Sequence, residues 1–324
     1  MLDEGGRRSA SGEKRRRYLR WGRIAVTIAA VAYLASRVEP RDVLNAFQRL
    51  SLGAALTAIT VVVFGLLCGM VRWRLLLRAY GAIDIPPWTR VAHLYLVGHF
   101  YNTYAPGGVG GDVLRGVASR KAFGDLDWAG ATSGVAVVFI ERVIGVSALL
   151  VLAASAYLIS PIPGIENVGL WAAFGLAAAG GALLGIAIAP RLAPLLPEKL
   201  GKPLRALPRL RSVGPFLIAI FLSLIIHAIT IVAGHAIMNS LEPSVTFAQS
   251  AVLMPLISAS AFFPFTVGGA GVREAAFAAL YGTVGVPEAS AYAASLCFWG
   301  TQLLSAGVGG VVNLVVPLSG RERA

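Results

Sequence analysis

The chain has 324 residues, of which 56% are hydrophobic and only 14% are charged, and its mean hydropathy is +0.72. Soluble domains carry about 25% charged residues, so this composition excludes an ordinary soluble protein. The formal charge of +12 is distributed over short segments between apolar runs, where basic residues orient helices and meet anionic headgroups. We therefore expect an all-α, polytopic membrane helix bundle that binds membrane lipids and no nucleic acid.

The first part of the chain is polar and then becomes apolar. Residues 1–20 are rich in arginine and predict a basic cytoplasmic tail. The apolar stretch at 21–35 is a signal peptide or a signal anchor, and Tyr33 at the −3 place of the obvious cleavage after Ala35 favours the anchor. Runs long enough to cross a hydrocarbon core of about 30 Å predict five further spans, at about 51–71, 129–159, 168–189, 214–238 and 288–316. Residues 317–324 form a second predicted tail.

The distribution of Lys and Arg supports this arrangement, because positive residues in short loops concentrate on the cytoplasmic side. The predicted outer loops at 160–167 and 239–247 contain neither residue type, although the loop at 37–50 contains three arginines. The segments assigned to the cytoplasm carry Arg72, Arg74, Arg78, Arg115, Arg120, Lys121, Arg191, Lys199, Lys202, Arg205, Arg209, Arg211, Arg321 and Arg323. We expect a multi-pass protein of the cytoplasmic (inner) membrane with both termini in the cytoplasm.

Two more apolar segments, at 91–104 and 248–263, are too short to cross the membrane comfortably. Each runs into a break rich in proline and glycine, which is followed by another short helix-like piece. Such a pair predicts a re-entrant hairpin, which enters the membrane to mid-depth and returns to its own side.

The two breaks share the pattern P-x3-GG-x3-R at a constant offset of 158 residues. The first copy consists of Pro106, Gly110, Gly111 and Arg115, and the second of Pro264, Gly268, Gly269 and Arg273. Because the same offset aligns 54–76 with 212–234, we expect two repeats, at about 50–160 and about 213–316. Three crossings lie between the hairpins, so the second copy is predicted to be inverted, as is typical of alternating-access transporters.

Each break is predicted to form an anion site. Proline ends a helix, paired glycines allow close backbone approach, and the next helix begins with exposed N–H groups one turn from an arginine. The planar guanidinium matches the oxygens of a phosphate headgroup. The alternative is that the glycines only permit tight packing, as Gly65 and Gly69 would in a GxxxG arrangement. Nucleotide binding is not supported, since Val113 replaces the third glycine of GxGxxG and no GK[ST] follows.

Further charged residues lie within the predicted membrane region. Glu141 and Arg142 lie about 18 Å along their span at 1.5 Å per residue. Asp112 in the first hairpin and Glu274 in the second are expected to pair with Arg142 or with the arginines of the two breaks, in a cluster shielded from lipid. Structural pairing and substrate contact both explain such a cluster.

Polar residues near the first break leave other interpretations open. Asn102 and Tyr104 could donate hydrogen bonds to a headgroup or satisfy a helix end. His99 and Asp112 could relay protons, but ordinary hydrogen-bonded core histidines are the alternative. No zinc motif accompanies the four histidines, and the two cysteines lie far apart in apolar runs, so we expect no metal and no cofactor.

The chain resembles a known family at these residues, the flippase-like membrane domain of lysylphosphatidylglycerol synthases. The resembling stretches are GHFYNTYAPGGVGGDVLRGVASRK, VVFIERVIG and FFPFTVGGAGVREAAF, within roughly residues 45–316. The resemblance implies an all-helical domain that moves phospholipids or polyprenyl-linked lipids between leaflets. Bifunctional members of the family carry a soluble aminoacyl-transferase domain after the membrane part, whereas this sequence stops at Ala324, so lysyl transfer is not expected.

Three functions remain open at this stage. The first is a lipid translocase that carries an anionic phospholipid or a polyprenyl-linked lipid through a headgroup site between the hairpins. The second is a membrane enzyme acting on a lipid-linked substrate, with Asp112, Glu141 or Glu274 as acid or base groups, although no nucleophile with its base is visible. The third is a non-transporting partner subunit of a lipid-modifying enzyme. We expect the first, with no catalytic residue.

Overall fold

A computed structural model describes residues 41, 44–45, 48–104, 108–124, 128–162, 168–195, 197, 208–260 and 271–316. Within these ranges all regular structure is helical, which confirms the predicted all-α fold. The α-helices are α1 (Leu52–Ala79), α2 (Trp88–Tyr104), α3 (Gly110–Ala118), α4 (Trp128–Ile159), α5 (Val168–Leu192), α6 (Val213–Leu241), α7 (Phe247–Ser260), α8 (Val272–Gly282) and α9 (Glu288–Val315).

Four helices of the described chain are long and apolar enough to span a membrane: α1, the Ser133–Ile159 part of α4, α6 and α9. The protein is therefore a multi-pass membrane protein, as predicted. Helix α5 covers the predicted crossing at 168–189, but its described apolar part is Ala173–Gly185, so this crossing stays a prediction. The predicted span at 21–35 and the tails at 1–20 and 317–324 lie outside the described residues.

Helix α1 continues to Ala79 instead of ending near residue 71. Arg72 therefore lies in a helix rather than in the loop that its place after the predicted span had implied. Trp73, Leu76 and Leu77 are fully buried after it, and their helical spacing extends the packed face by two turns. This extension brings Arg72 into the interior of the bundle.

Lipid tails are as apolar as leucine, so the hydrophobic effect contributes little to the association of helices in a membrane. Van der Waals contact between closely packed helices stabilises the bundle instead. A Cβ at Gly69 of α1 would overlap the Tyr95 side chain of α2, and Gly65 lies beside Ile229 of α6. A Cβ at Gly309 of α9 would overlap the backbone of Leu96 in α2. Glycine thus allows close contact between helices at positions 69 and 309, as predicted for Gly69, whereas a Cβ at Gly65 would make only ordinary contact with Ile229 at 3.7 Å.

The short helices occur in two successive pairs, α2 with α3 and α7 with α8. The members of each pair contact each other. Helix α2 packs against α9 and α7 packs against α4, while α3 packs against α4 and α8 packs against α9. Helices α1 and α6 form the most extensive contact in the described bundle. The inverted repeats and the re-entrant course of the two pairs remain predictions.

Candidate functional site

At the first helix break, the backbones of α2 and α3 are in direct contact. A Cβ at Gly111 would overlap the Gly98 carbonyl, so position 111 needs glycine for α3 to lie directly on α2. Gly108 turns the chain with φ +64°, in the left-handed region that glycine adopts readily. This packing places the start of α3 beside Asn102, near the end of α2.

Asn102 links the two helices through its side-chain amide. Its Oδ1 accepts hydrogen bonds from the backbone N–H groups of Gly111 at 2.8 Å and Asp112 at 3.2 Å, and its Nδ2 donates to Asp112 Oδ1 at 2.8 Å. The expectation that these two N–H groups are exposed to a ligand was therefore wrong. Any anion bound here depends on arginine side chains rather than on the amides of Gly111 and Asp112.

Five side chains form a continuous ionic network. Arg115 bridges both carboxylates, because its Nη2 lies 2.9 Å from Asp112 Oδ1 and its Nη1 lies 2.9 Å from Glu141 Oε2. Arg72 Nη2 lies 2.8 Å from Glu141 Oε1, and Arg142 Nε lies 2.7 Å from Asp112 Oδ2. Each of the four carboxylate oxygens thus faces a guanidinium. The predicted pairing of Asp112 with Arg115 and Arg142 is confirmed.

Pairing makes these buried charges tolerable. Glu141 is 2% exposed and Arg115 is 5% exposed, and each ion buried without a partner would cost several kcal/mol. The Arg115 guanidinium also lies 5.3 Å from the Trp73 ring centre and 4.8 Å from that of Tyr95, where aromatic faces stabilise a cation. The network joins α1, α3 and α4 and fixes their positions relative to one another.

A cavity of about 180 Å³ opens beside this network. Its lining residues are Arg72, Tyr95, His99, Asn102, Arg115, Glu141, Arg142, Gly145, Ile226 and His227. The side chain of Arg142 is 40% exposed, compared with 11% for Arg72 and 6% for Arg115. Arg142 is therefore the most accessible guanidinium of the cavity wall.

The two cavity histidines differ in their contacts. His99 Nε2 lies 3.0 Å from Ser305 Oγ, so this ring is held by α9. His227 Nε2 is buried without a hydrogen-bond partner among the described residues, and Gly145 lies beside the ring, where a Cβ would make ordinary contact with Nε2 at 3.5 Å. Tyr104 donates to the Leu303 carbonyl at 3.0 Å, which favours the structural interpretation of this residue.

The second short-helix pair, α7 with α8, has its own ion pair. Arg273 Nη2 donates to Glu274 Oε1 at 2.6 Å, and Ser295 Oγ donates to the same oxygen at 3.1 Å. Glu274 Oε2 accepts from the Gly271 N–H at 2.6 Å, and the Arg273 guanidinium lies 5.0 Å from the Trp299 ring centre. Both oxygens of Glu274 are thus engaged at the start of α8.

The structure brings six of the predicted site residues into one group and two into another. The first group is Asn102, Gly111, Asp112, Arg115, Glu141 and Arg142, and the second is Arg273 and Glu274. Gly110 is exposed as the first residue of α3. Pro106, Pro264, Gly268 and Gly269 lie outside the described residues. Within the ranges given above, no group of three or more His, Cys, Asp and Glu residues could hold a metal ion.

Sequence reasoning missed residues that α1 and α6 contribute to the site. Arg72 Nη1 donates to Ser223 Oγ at 3.0 Å, and His227 lines the cavity one turn further along α6. The apolar residues that follow Arg72 were the available signal, since they predict that the helix continues past it.

Replacing Gly111 by alanine is expected to destabilise the contact between α2 and α3 by about 1–3 kcal/mol, the usual cost of an overpacked site. The new Cβ would overlap backbone, which cannot move aside as a flexible side chain can. Thermal unfolding of the detergent-solubilised protein measures the effect. Gly180→Ala in α5 is the control, because a Cβ there would meet no other part of the described chain within 4 Å, apart from its own helix backbone and chain neighbours. Equal melting temperatures of Gly111→Ala and wild type would contradict the backbone contact.

Comparison with known proteins agrees with this architecture. The family described as the lysylphosphatidylglycerol synthase TM region matches residues 20–310. The search of curated proteins found no match. The family match extends over all the helices that form the cavity and both ion-pair groups. The chain therefore belongs to the family of the lysylphosphatidylglycerol synthase transmembrane region.

Proposed function

We propose that the protein is a lipid translocase, which moves an anionic phospholipid or a polyprenyl-linked lipid between the leaflets of the cytoplasmic membrane. The observation that carries the proposal is the cavity among the helices, with Arg72, Arg115 and Arg142 in its wall. Guanidiniums bind phosphate through paired hydrogen bonds, and charged groups within membrane helices commonly mark substrate pathways. Membership of this family and the membrane-helical fold support a role related to lipids.

The packing of the helices supports an alternating mechanism. Each short-helix pair contacts a long helix from the other half, α2 against α9 and α7 against α4. Movement of one pair can therefore be transmitted to the other. In the proposed cycle the pairs α2–α3 and α7–α8 rock in turn, and each opens the headgroup cavity to one leaflet. Inverted repeats commonly move in this way around a fixed site.

An enzymatic role receives less support from the site. General acids and bases need a carboxyl group that can gain and lose a proton at the operating pH. Asp112, Glu141 and Glu274 each accept bonds from arginine, which favours the charged carboxylate. We therefore assign these residues to positioning and binding and propose no catalytic residue. A role as a partner subunit remains an outcome of the transport test.

Leaflet exchange in reconstituted vesicles tests the proposal. Fluorescent phosphatidylglycerol is placed in one leaflet, and quenching of the outer leaflet follows its exchange. Wild-type protein is expected to accelerate exchange over empty vesicles, and Arg115→Ala to reduce the protein-dependent rate by about 10- to 100-fold, since hydrogen bonds to charged groups contribute about 1.5–3 kcal/mol.

Arg78→Ala is the matched control, because Arg78 is exposed in the last turn of α1. It should exchange lipid at the wild-type rate. Arg142→Gln, at the most accessible of the three arginines, provides a second cavity variant that does not depend on removing a deeply buried charge. Equal rates for wild type, both cavity variants and empty vesicles, across phospholipid classes and a polyprenyl phosphate, would refute transport and favour the partner role.

A further inference from the structure

His227 has a buried ring nitrogen whose hydrogen-bonding capacity is unused within the described chain. Its Nε2 has no partner among the described residues, and the residue lines the cavity. Buried polar atoms are nearly always hydrogen-bonded, and an unpaired one costs free energy. His93 Nε2 on α2 is also buried without a described partner, but His93 is not among the residues that line the cavity. An occupant of the cavity is therefore placed to bond His227 and not His93.

Helix α6 brings the second half of the chain to the cavity. Among the lining residues that the structure describes, those before Ile226 belong to α1, α2, α3 and α4, and α6 contributes Ile226 and His227. Ile226 is apolar, so His227 is the α6 side chain in this wall that can form hydrogen bonds. A ligand bonded both to His227 and to an arginine of the facing helices would connect the two halves of the chain.

His227 lies close to the part of α4 that carries Arg142. A Cβ at Gly145 would lie 3.5 Å from His227 Nε2, and Gly145 follows Arg142 by three residues, which places both on neighbouring positions of the α4 surface. Because Nε2 is on the α4 side of the ring, a small shift of α6 relative to α4 exposes it to an occupant of the cavity. Such a shift is part of the opening that the proposed cycle requires.

A phosphate group can use both side chains at once. It has several acceptor oxygens, so one oxygen can bind a guanidinium while another accepts from an imidazole N–H. Nε2 carries a hydrogen in the imidazolium ion and in one of the two neutral tautomers. The side chain of Arg142 is 40% exposed, which leaves room for an oxygen beside it.

We propose that His227 is a ligand-binding residue of the cavity, which donates a hydrogen bond from Nε2 to a phosphate oxygen of the lipid that Arg142 also contacts. The bound lipid then joins α6 to α4 and couples occupancy of the site to the relative position of the two halves. This inference rests on the proposed function, because it names a further contact in the same site. An internal water is the other group that could satisfy Nε2, and the test distinguishes it.

Lipid affinity and stability together separate binding from a structural role. The purified full chain in detergent is titrated with short-chain phosphatidylglycerol and phosphatidylethanolamine, and the more tightly bound lipid is used. His227→Phe keeps an aromatic ring and is expected to weaken binding by about tenfold, since the lost bond is to a charged group. Its melting temperature should equal or exceed that of wild type, because no unpaired nitrogen remains buried.

Two further variants make this test specific. His227→Gln should recover most of the affinity, because its side-chain amide can donate from a similar position. His93→Phe is the matched control, since it removes a buried, unpaired Nε2 outside the cavity wall, and it should bind lipid as wild type does. Parallel losses of affinity and stability in His227→Phe would show a structural role and overturn the proposal.

Nitrogen NMR of the full chain with labelled histidine detects the contact directly. The sequence has four histidines, so the His227 signals are identified by their loss in His227→Gln. The phospholipid should shift the Nε2 signal, whereas diacylglycerol, which lacks the phosphate, should not. A shift with inorganic phosphate but with no phospholipid overturns the lipid contact in favour of a free anion. No shift with any of these ligands overturns the proposal and leaves water as the partner of Nε2.

Leaflet exchange by the same variants separates this inference from the proposed function. If wild type exchanges lipid and His227→Phe does so at the same rate and with the same affinity, the role of His227 is refuted and transport stands. If His227→Phe loses affinity as expected but the wild type exchanges no lipid, the contact is supported and transport is refuted.

Discussion

Replacing Glu141 by glutamine is expected to lower the free energy of unfolding by about 3–5 kcal/mol, the usual effect of removing one partner from a buried ion pair. Glu141 is 2% exposed and faces both Arg72 and Arg115. Without its negative charge these two guanidiniums repel each other in a region of low dielectric. The expected result is a clear fall in the melting temperature of the detergent-solubilised protein.

A matched control and a double variant make this prediction specific. Glu288→Gln changes the same residue type at an exposed position in the first turn of α9, and it should stay within about 0.5 kcal/mol of wild type. Combining Glu141→Gln with Arg72→Met removes one charge of each sign and should recover part of the loss, because directly contacting residues are energetically coupled. A single variant as stable as wild type would show that the network does not hold the helices together.

The long helices could be predicted closely from composition. The expected spans at 129–159, 214–238 and 288–316 correspond to α4, α6 and α9 to within a few residues. These runs are apolar on all sides, so their identification requires no knowledge of which face packs inward. The predicted end of α1 was wrong, because Arg72 was interpreted as the start of a loop. Inside the bundle the charge of Arg72 is instead compensated by Glu141.

The candidate site could be predicted only in part. Carboxylates and arginines in membrane helices must find partners, and this requirement predicted that Asp112 pairs with Arg142, Arg115 or Arg273, of which the structure shows the first two. It could not show that Arg115 bridges to Glu141, or that Asn102 satisfies the start of α3. Such choices depend on which helices meet in three dimensions. Local patterns along one chain do not encode this packing when several helices are equally apolar.

The second short-helix pair, α7 with α8, provides the strongest test of the proposed alternating mechanism. Arg273 and Glu274 lie on α8 and bond Ser295 of α9, whereas the cavity is lined by residues of α1, α2, α3, α4 and α6. If transport requires both hairpins to move in turn, changing this pair should slow transport without changing the affinity of the cavity for its lipid. A protein that only binds lipid in one fixed site would not show a change in transport rate with unchanged lipid affinity.

The double variant Arg273→Gln with Glu274→Gln is therefore expected to reduce leaflet exchange by about tenfold or more, the equivalent of about 1.4 kcal/mol, while lipid binding stays within about twofold of wild type. Removing both charges together avoids leaving one buried ion without its partner. The matched control is Arg49→Gln with Glu242→Gln, a pair separated by 3.8 Å in which Arg49 is 62% exposed. Its exchange rate should equal that of wild type. Parallel losses of binding and exchange in the α8 variant would show that Arg273 and Glu274 act on the cavity itself, whereas loss of exchange alone is the result that rocking of two coupled hairpins requires.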